Sequence, residues 1–438
     1  SSAVSASGGL YQSALNLFQY ALPYDENGDR VEFPGGDIAF RTVIDEEKYS
    51  QDQRVSLRAF GSFYAQVNIG SIFPVLEGLK FRTNFGPDIE NYRRGVYIDG
   101  KSVIRTGSSY ASLEKRQRSS YTLDNLLYYD KSIKDHNIGV TLLQSQTVFD
   151  EESNSMNAEN IPFASQKWNA LNNSNVTIAG FDSGISERQL LSYMGRVNYS
   201  FSDKYLVTLS GRFDGASQLT EGNKWDFFPS AALGWRLDNE SFLENSNWIN
   251  QLKLRVGVGV TGNSAVDPYS SKGGLGQLFY SVGGSTQAGV VNSNVLANQN
   301  LGWEKTTQYN VGIDFSLFKS RISGVLDVYS SETNDLLLDR SIPTVTGFRT
   351  IVANIGSTKS SGIDLTLNTV NIDKGDFQWS TDLSASYQTN EIVETATGKN
   401  DDINNGWFVG QSQDVIYGFE SNGIWKEEDA AEMALFNA

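Results

Sequence analysis

Apolar and polar residues alternate with a period of two in many segments of this 438-residue chain, and this pattern constrains the fold more than any other feature. Between Tyr193 and Phe201, the odd-numbered positions hold Tyr, Gly, Val, Tyr and Phe, whereas the even-numbered positions hold Met, Arg, Asn and Ser. Successive side chains of a β-strand point to opposite faces of the sheet. The alternation therefore predicts strands with one apolar face and one polar face.

The alternation predicts about twelve strands, and the connections between them have two distinct lengths. Short connections such as 202–203 and 318–320 alternate with long ones such as 149–189 and 262–306. Transmembrane barrels have short periplasmic turns and long extracellular loops, which produces this rhythm. We therefore predict an all-β fold, a transmembrane, antiparallel, up-and-down β-barrel. The predicted strands are 54–69, 79–88, 119–129, 136–148, 190–201, 204–214, 225–237, 251–261, 307–317, 321–331, 360–370 and 377–388.

A soluble β-sandwich would also alternate, but further features favour the membrane. Aromatic residues such as Tyr205, Phe213 and Trp379 lie near predicted strand ends, where interfacial girdles require them. The polar face carries charges such as Arg255 and Asp314, which suit a water-filled lumen better than a sandwich core. No apolar run reaches the ~18 residues of a transmembrane helix. The sequence therefore predicts membrane crossing by strands.

The composition argues against several functional classes. The net charge of −16 is unfavourable for binding nucleic acid, which requires clustered Lys and Arg. The chain has no cysteine and only one histidine, His136, which disfavours thiolate or multi-histidine metal sites and Ser-His-Asp chemistry. The acidic loop segments 150–152 and 401–402 lack EF-hand spacing. We therefore predict that the protein is not an enzyme and has no catalytic residues, cofactor or metal site.

The segment 257–262, Gly-Val-Gly-Val-Thr-Gly, matches the glycine pattern of dinucleotide-binding sites. Such a site needs its glycines after a strand and at the start of a helix, so that the helix N-terminus meets the pyrophosphate. Here the match lies inside a predicted strand, and no helical pattern follows it. We interpret these glycines as small strand residues that let their neighbours pack closely.

Aromatic residues in the predicted loops are the remaining candidates for contact with a substrate or a partner. Exposed aromatic rings stack on sugars or anchor protein partners. The alternative for each is packing within a folded loop, which is the default interpretation. The candidates are Trp168, Phe279, Tyr280, Trp303 and Trp407.

The ends of the chain suggest that it is an internal piece of a longer protein, because it starts at Ser1 without an initiator methionine and ends at Ala438. We expect residues 1–53 to form an extracellular loop segment and residues 54–388 to hold the strands. Residues 389–438 are expected to form an extracellular loop and the next part of the barrel.

Several motifs stand out along the predicted strands and loops: Ser210–Ser217 (SGRFDGAS), Trp225–Ala231 (WDFFPSA), Leu301–Gly312 (LGWEKTTQYNVG) and Phe408–Gln411 (FVGQ). They closely resemble motifs of the SusC/RagA-like family of TonB-dependent outer-membrane transporters of Bacteroidota. The resemblance is most specific between about residues 190 and 425, and residues 76–84 are also similar to the family's early barrel.

The resemblance implies a barrel of about 22 strands that is filled by an N-terminal plug. This chain would hold about half of that barrel, without the plug. The resemblance also implies import of oligosaccharides or peptides across the Gram-negative outer membrane. The implied partners are a SusD-like surface lipoprotein, outer-membrane lipid and TonB, which would act through a region outside this chain.

Three other functional classes are also compatible with the sequence. A passive porin would share the barrel but lack a plug and a TonB box. A siderophore-type TonB-dependent receptor would lack the SusD-like lipoprotein. A secreted all-β adhesin or hydrolase would be extracted without detergent.

Overall fold

In the structure, which is a computed structural model, the chain forms two compact units. The first unit comprises Ser1–Asp130, Val140–Gly195 and Asp214–Gln218, and the second comprises Lys131–Gly139, Arg196–Phe213 and Leu219–Ala438, in each case within the described residues. Those residues are 11, 14–37, 40–102, 104–105, 107–172, 176–244, 246–283, 285–292, 295–418 and 420.

The first unit is built around an antiparallel sheet. Its strands follow the order β1-β3-β4-β5-β6, with the short β2 paired to β3 beside β1. The bounds are β1 Ser50–Phe60, β2 Phe63–Asn68, β3 Leu79–Ile98, β4 Tyr110–Ile133, β5 His136–Glu159 and β6 Thr177–Phe201. The adjoining ends of β4, β5 and β6 belong to the second unit.

The second unit continues with antiparallel strands in the order β6-β7-β8-β9-β13-β14-β17-β18. Its connections contain a separate hairpin, β10 with β11, and a small sheet in the order β12-β16-β15. The bounds are β7 Tyr205–Ala216, β8 Trp225–Arg236, β9 Ile249–Asn263, β10 Leu275–Val282, β11 Ser285–Asn292, β12 Val295–Leu296, β13 Glu304–Leu317, β14 Ile322–Asn334, β15 Leu337–Ser341, β16 Thr350–Asn354, β17 Ser357–Lys374 and β18 Phe377–Glu394.

The helical segments are short. Two α-helical turns, α1 and α2, lie before β1 and between β2 and β3, and single 3₁₀ turns occur in the connections. Among the described residues, no helix is both long and apolar enough to span a membrane. The bounds are α1 Glu46–Tyr49 and α2 Ile69–Ile72, with 3₁₀ turns at Pro74–Leu76, Lys167–Asn169, Glu221–Asn223, Leu237–Asn239, Thr344–Thr346 and Ile403–Asn405.

All twelve predicted strands are confirmed as strands, although several bounds differ. The predicted strand 54–69 is two strands, β1 and β2, and the long connections contain further strands, β10–β12 and β15–β16. The strands β3 to β6 extend well beyond their predicted outer ends. Those extensions carry polar residues on both faces, as at Arg93 and Arg94, so they lack the alternation that reveals a half-buried strand.

A continuous apolar row crosses six adjacent strands of the second unit. Its members are opposite one another in register, and each side chain is between 45% and 70% exposed. Directly paired apolar side chains that the protein leaves uncovered form a face suited to an apolar surrounding. The row consists of Leu233, Val256, Val311, Val328, Ile363 and Tyr387.

Aromatic residues border this apolar face at both strand ends, as the sequence predicts. At the end near the short turns, Tyr205 stacks between Phe201 and Trp235, with ring centroids 6.4 and 6.5 Å apart. At the other end, Phe213 stacks on Trp225 at 5.0 Å. Tyr205 and Phe213 are eight residues apart on β7, which is about 27 Å along a strand. For a typical strand tilt, this separation is roughly 20 Å along the membrane normal, of the same order as the ~25 Å apolar band of transmembrane barrels.

The turn between β6 and β7 has the geometry of a two-residue hairpin. Ser202 and Asp203 have φ values of 52° and 53°. Positive φ at both central positions is typical of a type I′ turn, whose twist matches that of paired strands. His136, at the neighbouring strand end, places its Nδ1 2.7 Å from the Tyr199 hydroxyl oxygen. The single histidine is thus part of the aromatic border.

Candidate functional site

Arg255 forms ion pairs with carboxylates on two different strands of the polar face in the second unit. Its Nε donates to Asp314 Oδ1 at 2.9 Å, and its Nη2 donates to Asp327 Oδ2 at 3.1 Å. Asp314 lies on β13, which is adjacent to β9, whereas Asp327 lies on β14, one strand further. The three side chains are only 31%, 22% and 24% exposed. Because water reaches them poorly, each charge-assisted bond contributes about 1.5–3 kcal/mol.

Gly312 allows Arg255 to reach Asp327. Gly312 is opposite both residues in register, so the guanidinium passes directly over it. A Cβ at this position would lie 2.3 Å from Asp327 Oδ1 and 2.6 Å from Arg255 Nη2. Both distances are too short for van der Waals contact. A side chain at position 312 would therefore displace the ion pair.

The acidic character of the polar face continues on the next strand. Asp364 of β17 is directly opposite Asp327, and Ser386 of β18 donates a hydrogen bond to Asp364 Oδ1 at 2.5 Å. Two carboxylates in direct opposition repel each other. Arg255 and Ser386 offset that repulsion from either side, which fixes the side chains in one arrangement.

The polar face of the first unit carries a similar network. Arg94 donates to Asp52 at 2.8 Å, and Arg58 donates to Asp88 at 2.5 Å. Arg118 of β4 pairs with Glu151 of β5 through its Nε. These pairs link adjacent strands, so ion-paired charges run along one face of this sheet, whereas the other face carries exposed apolar residues such as Val55 and Leu57.

A polar cavity of about 1020 Å³ lies in the first unit, between the segment before β1 and the β3–β4 connection. Arg30 donates to the carbonyl oxygens of Lys101 at 2.9 Å and Thr42 at 2.8 Å, and its guanidinium lies 4.8 Å from the centre of the Tyr49 ring. Arg41 forms an ion pair with Glu32 at 3.1 Å. The cavity combines fixed cations, carboxylates and backbone carbonyls, so it suits a polar ligand with both donors and acceptors.

Side-chain contacts also hold the segment before β1 in place. The Tyr24 hydroxyl donates to Asp45 Oδ2 at 3.0 Å, and Lys48 Nζ donates to Asp45 Oδ1 at 2.6 Å. The hydrogen bonds from Lys48 and then from Tyr24 lower the pKa of the Asp45 carboxyl below its usual value. The negative form of Asp45 is thus favoured where the segment enters α1.

Two of the five aromatic candidates are buried in packed loops. Trp168 is 4% exposed and belongs to a small core in the first unit with Tyr97, Ala111, Ala158, Ile161 and Leu171. Trp303 is 7% exposed in the second unit, where it packs edge-to-face on Phe228 at 5.2 Å and donates to the Lys224 carbonyl at 2.9 Å. Burial leaves little of either ring for a ligand, and their predicted contact with a substrate or a partner stays a prediction.

The motif that contains Trp303 fixes the loop next to it. Asn354 accepts a hydrogen bond from the Gly302 backbone amide at 2.7 Å and donates to the Gly302 carbonyl at 3.0 Å. Thr220 donates through its hydroxyl to the carbonyl of Leu301, which is fully buried, at 2.8 Å. These bonds join residues from three connections, so the motif stabilises the loop structure.

Tyr280 and Phe279 lie on β10 of the separate hairpin. Tyr280 is 45% exposed. The side chain of Phe279 lies outside the described part of the structure. The hairpin thus presents at least one aromatic ring to the surroundings, and the role of both residues stays a prediction.

Trp407 lies at a small, mainly apolar pocket of about 260 Å³ in the second unit. Its backbone is fixed by two hydrogen bonds with the backbone of Asp402, at 2.8 and 2.9 Å. The residues that line the pocket include Leu336, Leu338 and Ile392, and Glu394 also contributes to the lining. An aromatic ring, aliphatic walls and one carboxylate fit a sugar ring or a side chain of similar size.

Among the described residues, the aromatic candidates lie at different places in the structure and do not form one site. The structure also reveals candidate functional residues that the sequence analysis did not identify. The ion pairs of Arg255 span 59 and 72 residues along the chain, and the Arg30–Lys101 bond spans 71. Alternation identifies Arg255 and Asp314 as polar-face residues but not as partners. No local pattern marks Arg30, because its neighbours in space come from distant loops.

Comparison with known proteins gives consistent matches. Residues 4–421 match the family described as TonB dependent receptor-like, beta-barrel. TonB-dependent receptor P26 of Formosa agariphila is 31% identical over 385 residues, which cover 84% of this chain and 38% of that protein. TonB-dependent receptor SusC of Bacteroides thetaiotaomicron is 35% identical over 226 residues, 49% of this chain and 22% of that protein.

Among solved structures, a chain of the RagAB peptide transporter matches with a TM-score of 0.78. The match has 24% identity and covers 89% of this chain and 43% of the other, so it bears on the fold alone. The chain thus spans less than half the length of each of these three relatives.

Proposed function

Because the chain belongs to the TonB dependent receptor-like, beta-barrel family, of the SusC/RagA type, we propose that it forms part of an active importer. The chain lies in the outer membrane, as members of this family do. The proposed cargo is an oligosaccharide or a peptide, and the proposed energy source is TonB acting on a plug. The family match over residues 4–421 is the observation that carries the proposal.

The polar faces support passage of a polar cargo. In the family's arrangement, the exposed apolar row contacts lipid and the opposite face lines the lumen. Arg255, Asp314 and Asp327 then lie in the lumen wall, where their mutual ion pairs hold them in place. A wall whose charges are already paired offers hydrogen bonds to a cargo without binding it tightly.

The pocket at Trp407 is the candidate cargo subsite in this chain. Its volume of about 260 Å³ accommodates one sugar ring or one large side chain. Trp407 supplies a stacking surface, and Glu394 supplies an acceptor for hydroxyl or ammonium groups. The exposed Tyr280 on the β10–β11 hairpin is a second candidate, for contact with either the cargo or a SusD-like lipoprotein.

We infer further that the whole protein acts with a SusD-like surface lipoprotein and is not an enzyme. The similarity to SusC of Bacteroides thetaiotaomicron supports this assignment. A siderophore-type TonB-dependent receptor is the main alternative, and a passive porin is the second. The family match weighs against the porin and against a secreted adhesin.

Uptake by the full-length protein in its native host tests the proposal. Labelled oligosaccharides and peptides are supplied to cells with the intact gene, with the gene deleted and with TonB deleted. We expect uptake of one cargo class to require both genes, and an affinity-tagged transporter to co-purify with a surface lipoprotein. Uptake that persists without TonB would identify a passive porin. Uptake of ferric siderophores without a co-purified lipoprotein would identify a siderophore receptor.

The candidate subsite is tested separately with Trp407→Ala. The matched control is Trp379→Ala, which removes an exposed Trp from β18. We expect W407A to raise the half-saturating cargo concentration by about two- to tenfold, because a stacked ring contributes about 0.5–1.5 kcal/mol. Equal uptake by both variants would exclude Trp407 from the cargo site without bearing on TonB dependence.

A further inference from the structure

Two neighbouring cations, Arg93 and Lys115, share a surface of the first unit. They are directly opposite each other in the β3–β4 register. Like charges in direct opposition destabilise a strand pair. Within the described residues, neither side chain forms an ion pair or a hydrogen bond. An anion bound between them would remove the repulsion.

These cations lie on the apolar face of the sheet, not on its ion-paired polar face. Val55 of β1 is opposite Arg93, and the next residue on that face, Leu57, is opposite Asn91. Val55 and Leu57 are 49% and 70% exposed. Further along β3, the same face carries Ile89, which is 45% exposed. In an outer-membrane barrel, this is the face that meets lipid.

The position along the strand corresponds to the lipid headgroups. Arg93 is four residues beyond Ile89, about 13 Å along β3 and about 10 Å along the membrane normal for a typical strand tilt. Headgroup layers extend several ångströms beyond the hydrocarbon. The predicted orientation of the connections places this end of β3 on the outer side. The two cations therefore lie at the outer-leaflet headgroups.

The surface around the cations forms a groove of about 400 Å³. Its apolar wall is Val55 and Leu57, and its polar wall adds Glu152 and Asn154 to the two cations. Two positions beyond Arg93 on the same face, the Trp168 ring covers Gly95. The groove thus joins an apolar strip, a pair of cations, and both acceptor and donor groups.

We propose that this groove binds the phosphorylated sugar headgroup of an outer-leaflet glycolipid. Arg93 and Lys115 contact a phosphate, and the Arg93 guanidinium offers it paired donors. Asn154 and Glu152 hydrogen-bond to sugar hydroxyls, and an acyl chain lies along Leu57 and Val55. This site faces the membrane. It is independent of the proposed transport function, because the proposal requires only that the barrel lies in the outer membrane.

Native mass spectrometry of the full-length protein in detergent tests the site. The probes are lipid A with one phosphate, lipid A with its phosphate removed, and inorganic phosphate as a competitor. The test variant is Arg93→Gln with Lys115→Gln. The matched control is Lys134→Gln with Lys319→Gln, which makes the same charge change in two exposed turns at the opposite strand ends.

We expect the wild type and the control to retain phosphorylated lipid A, and the test variant to retain it at least about tenfold more weakly, because two charge-assisted contacts are lost. Arg93→Lys should bind with intermediate strength. Inorganic phosphate should compete only in large excess. Equal retention of phosphorylated and dephosphorylated lipid A, or equal retention by test and control variants, would overturn the proposal. Unchanged strand content in circular dichroism separates lost binding from lost folding.

Discussion

The indole ring of Trp168 lies directly on the backbone of Gly95, so that a Cβ at Gly95 would lie 2.3 Å from Trp168 Cε2. This contact joins the loop after β5 to the face of β3. It also explains why a bulky loop residue is buried on an otherwise exposed strand surface, since only glycine leaves the space.

Gly95→Ala should loosen this loop. The added methyl group forces the Trp168 ring away from its core, at a cost of about 1–3 kcal/mol for overpacking. Limited proteolysis of the full-length protein should therefore cut the segment 160–172 faster than in the wild type. Gly86→Ala is the matched control, because its Cβ would meet nothing closer than 3.8 Å. Equal cleavage rates in the two variants would contradict this explanation of Gly95.

Gly312→Ala should break the contact between Arg255 and Asp327. We expect a loss of about 1–3 kcal/mol in the free energy of unfolding, because a partly buried carboxylate loses its partner. Urea unfolding in lipid vesicles measures the change. Gly257→Ala is the control, since its Cβ would have no neighbour closer than 3.8 Å, and it should change stability by less than about 0.5 kcal/mol.

A double-mutant cycle shows whether the effect of Gly312→Ala arises from the contact between Arg255 and Asp327. In a chain that already carries Arg255→Met, Gly312→Ala should cost much less, because the guanidinium is no longer there to be displaced. Additive effects of the two substitutions would show that Gly312 acts through backbone packing and not through the ion pair.

Glu240 should link stability to pH at the aromatic border. It accepts hydrogen bonds from Tyr205 at 2.7 Å and Trp235 at 3.0 Å, and Lys204 lies 3.4 Å away. The bond from Tyr205, followed by that from Trp235, lowers the pKa of the Glu240 carboxyl. Its stabilising contribution is therefore complete above the unfolded-state pKa of about 4.3 and is lost as the pH falls through the lower folded-state value.

The test compares the free energy of unfolding of Glu240→Gln with that of the wild type at several pH values. The difference between the two proteins should be constant from pH 5 to 7, where the Glu240 carboxylate is charged in both the folded and the unfolded state. It should shrink below about pH 4. Glu244→Gln removes a nearby carboxylate from the same connection and is the control. A difference that stayed constant down to about pH 2 would contradict the assignment.

Trp303→Ala should reduce stability far more than Trp407→Ala. Trp303 is buried against Phe228 and Gly262, so its truncation should cost about 3–5 kcal/mol. Trp407 is only half-buried, and its loss should mainly affect cargo binding. Thermal unfolding of the full-length protein in detergent compares the two, and equal shifts in Tm would show that Trp407 is also mainly structural.

The strands could be predicted from sequence because alternation is a local property of a sheet with two different faces. Where β3 extends past Ile89, Asn91 and Arg93 replace apolar residues, and the pattern stops although the strand continues. The buried positions of Trp168 and Trp303 depend on Gly95 and Gly262, which lie far away in sequence. Likewise, Arg255 meets Asp327 only because the register of three strands brings them together.

The length of β5 has a consequence for the part of the sheet that lies outside the lipid. Its 24 residues span about 80 Å along the strand, or roughly 60 Å along the membrane normal for a typical tilt, against about 30 Å of hydrocarbon. A large part of this strand therefore stands outside the lipid with its backbone amides already paired. In the orientation that the loop lengths predict, molecules that approach from outside would meet a preorganised rim, and binding there would lose little backbone entropy.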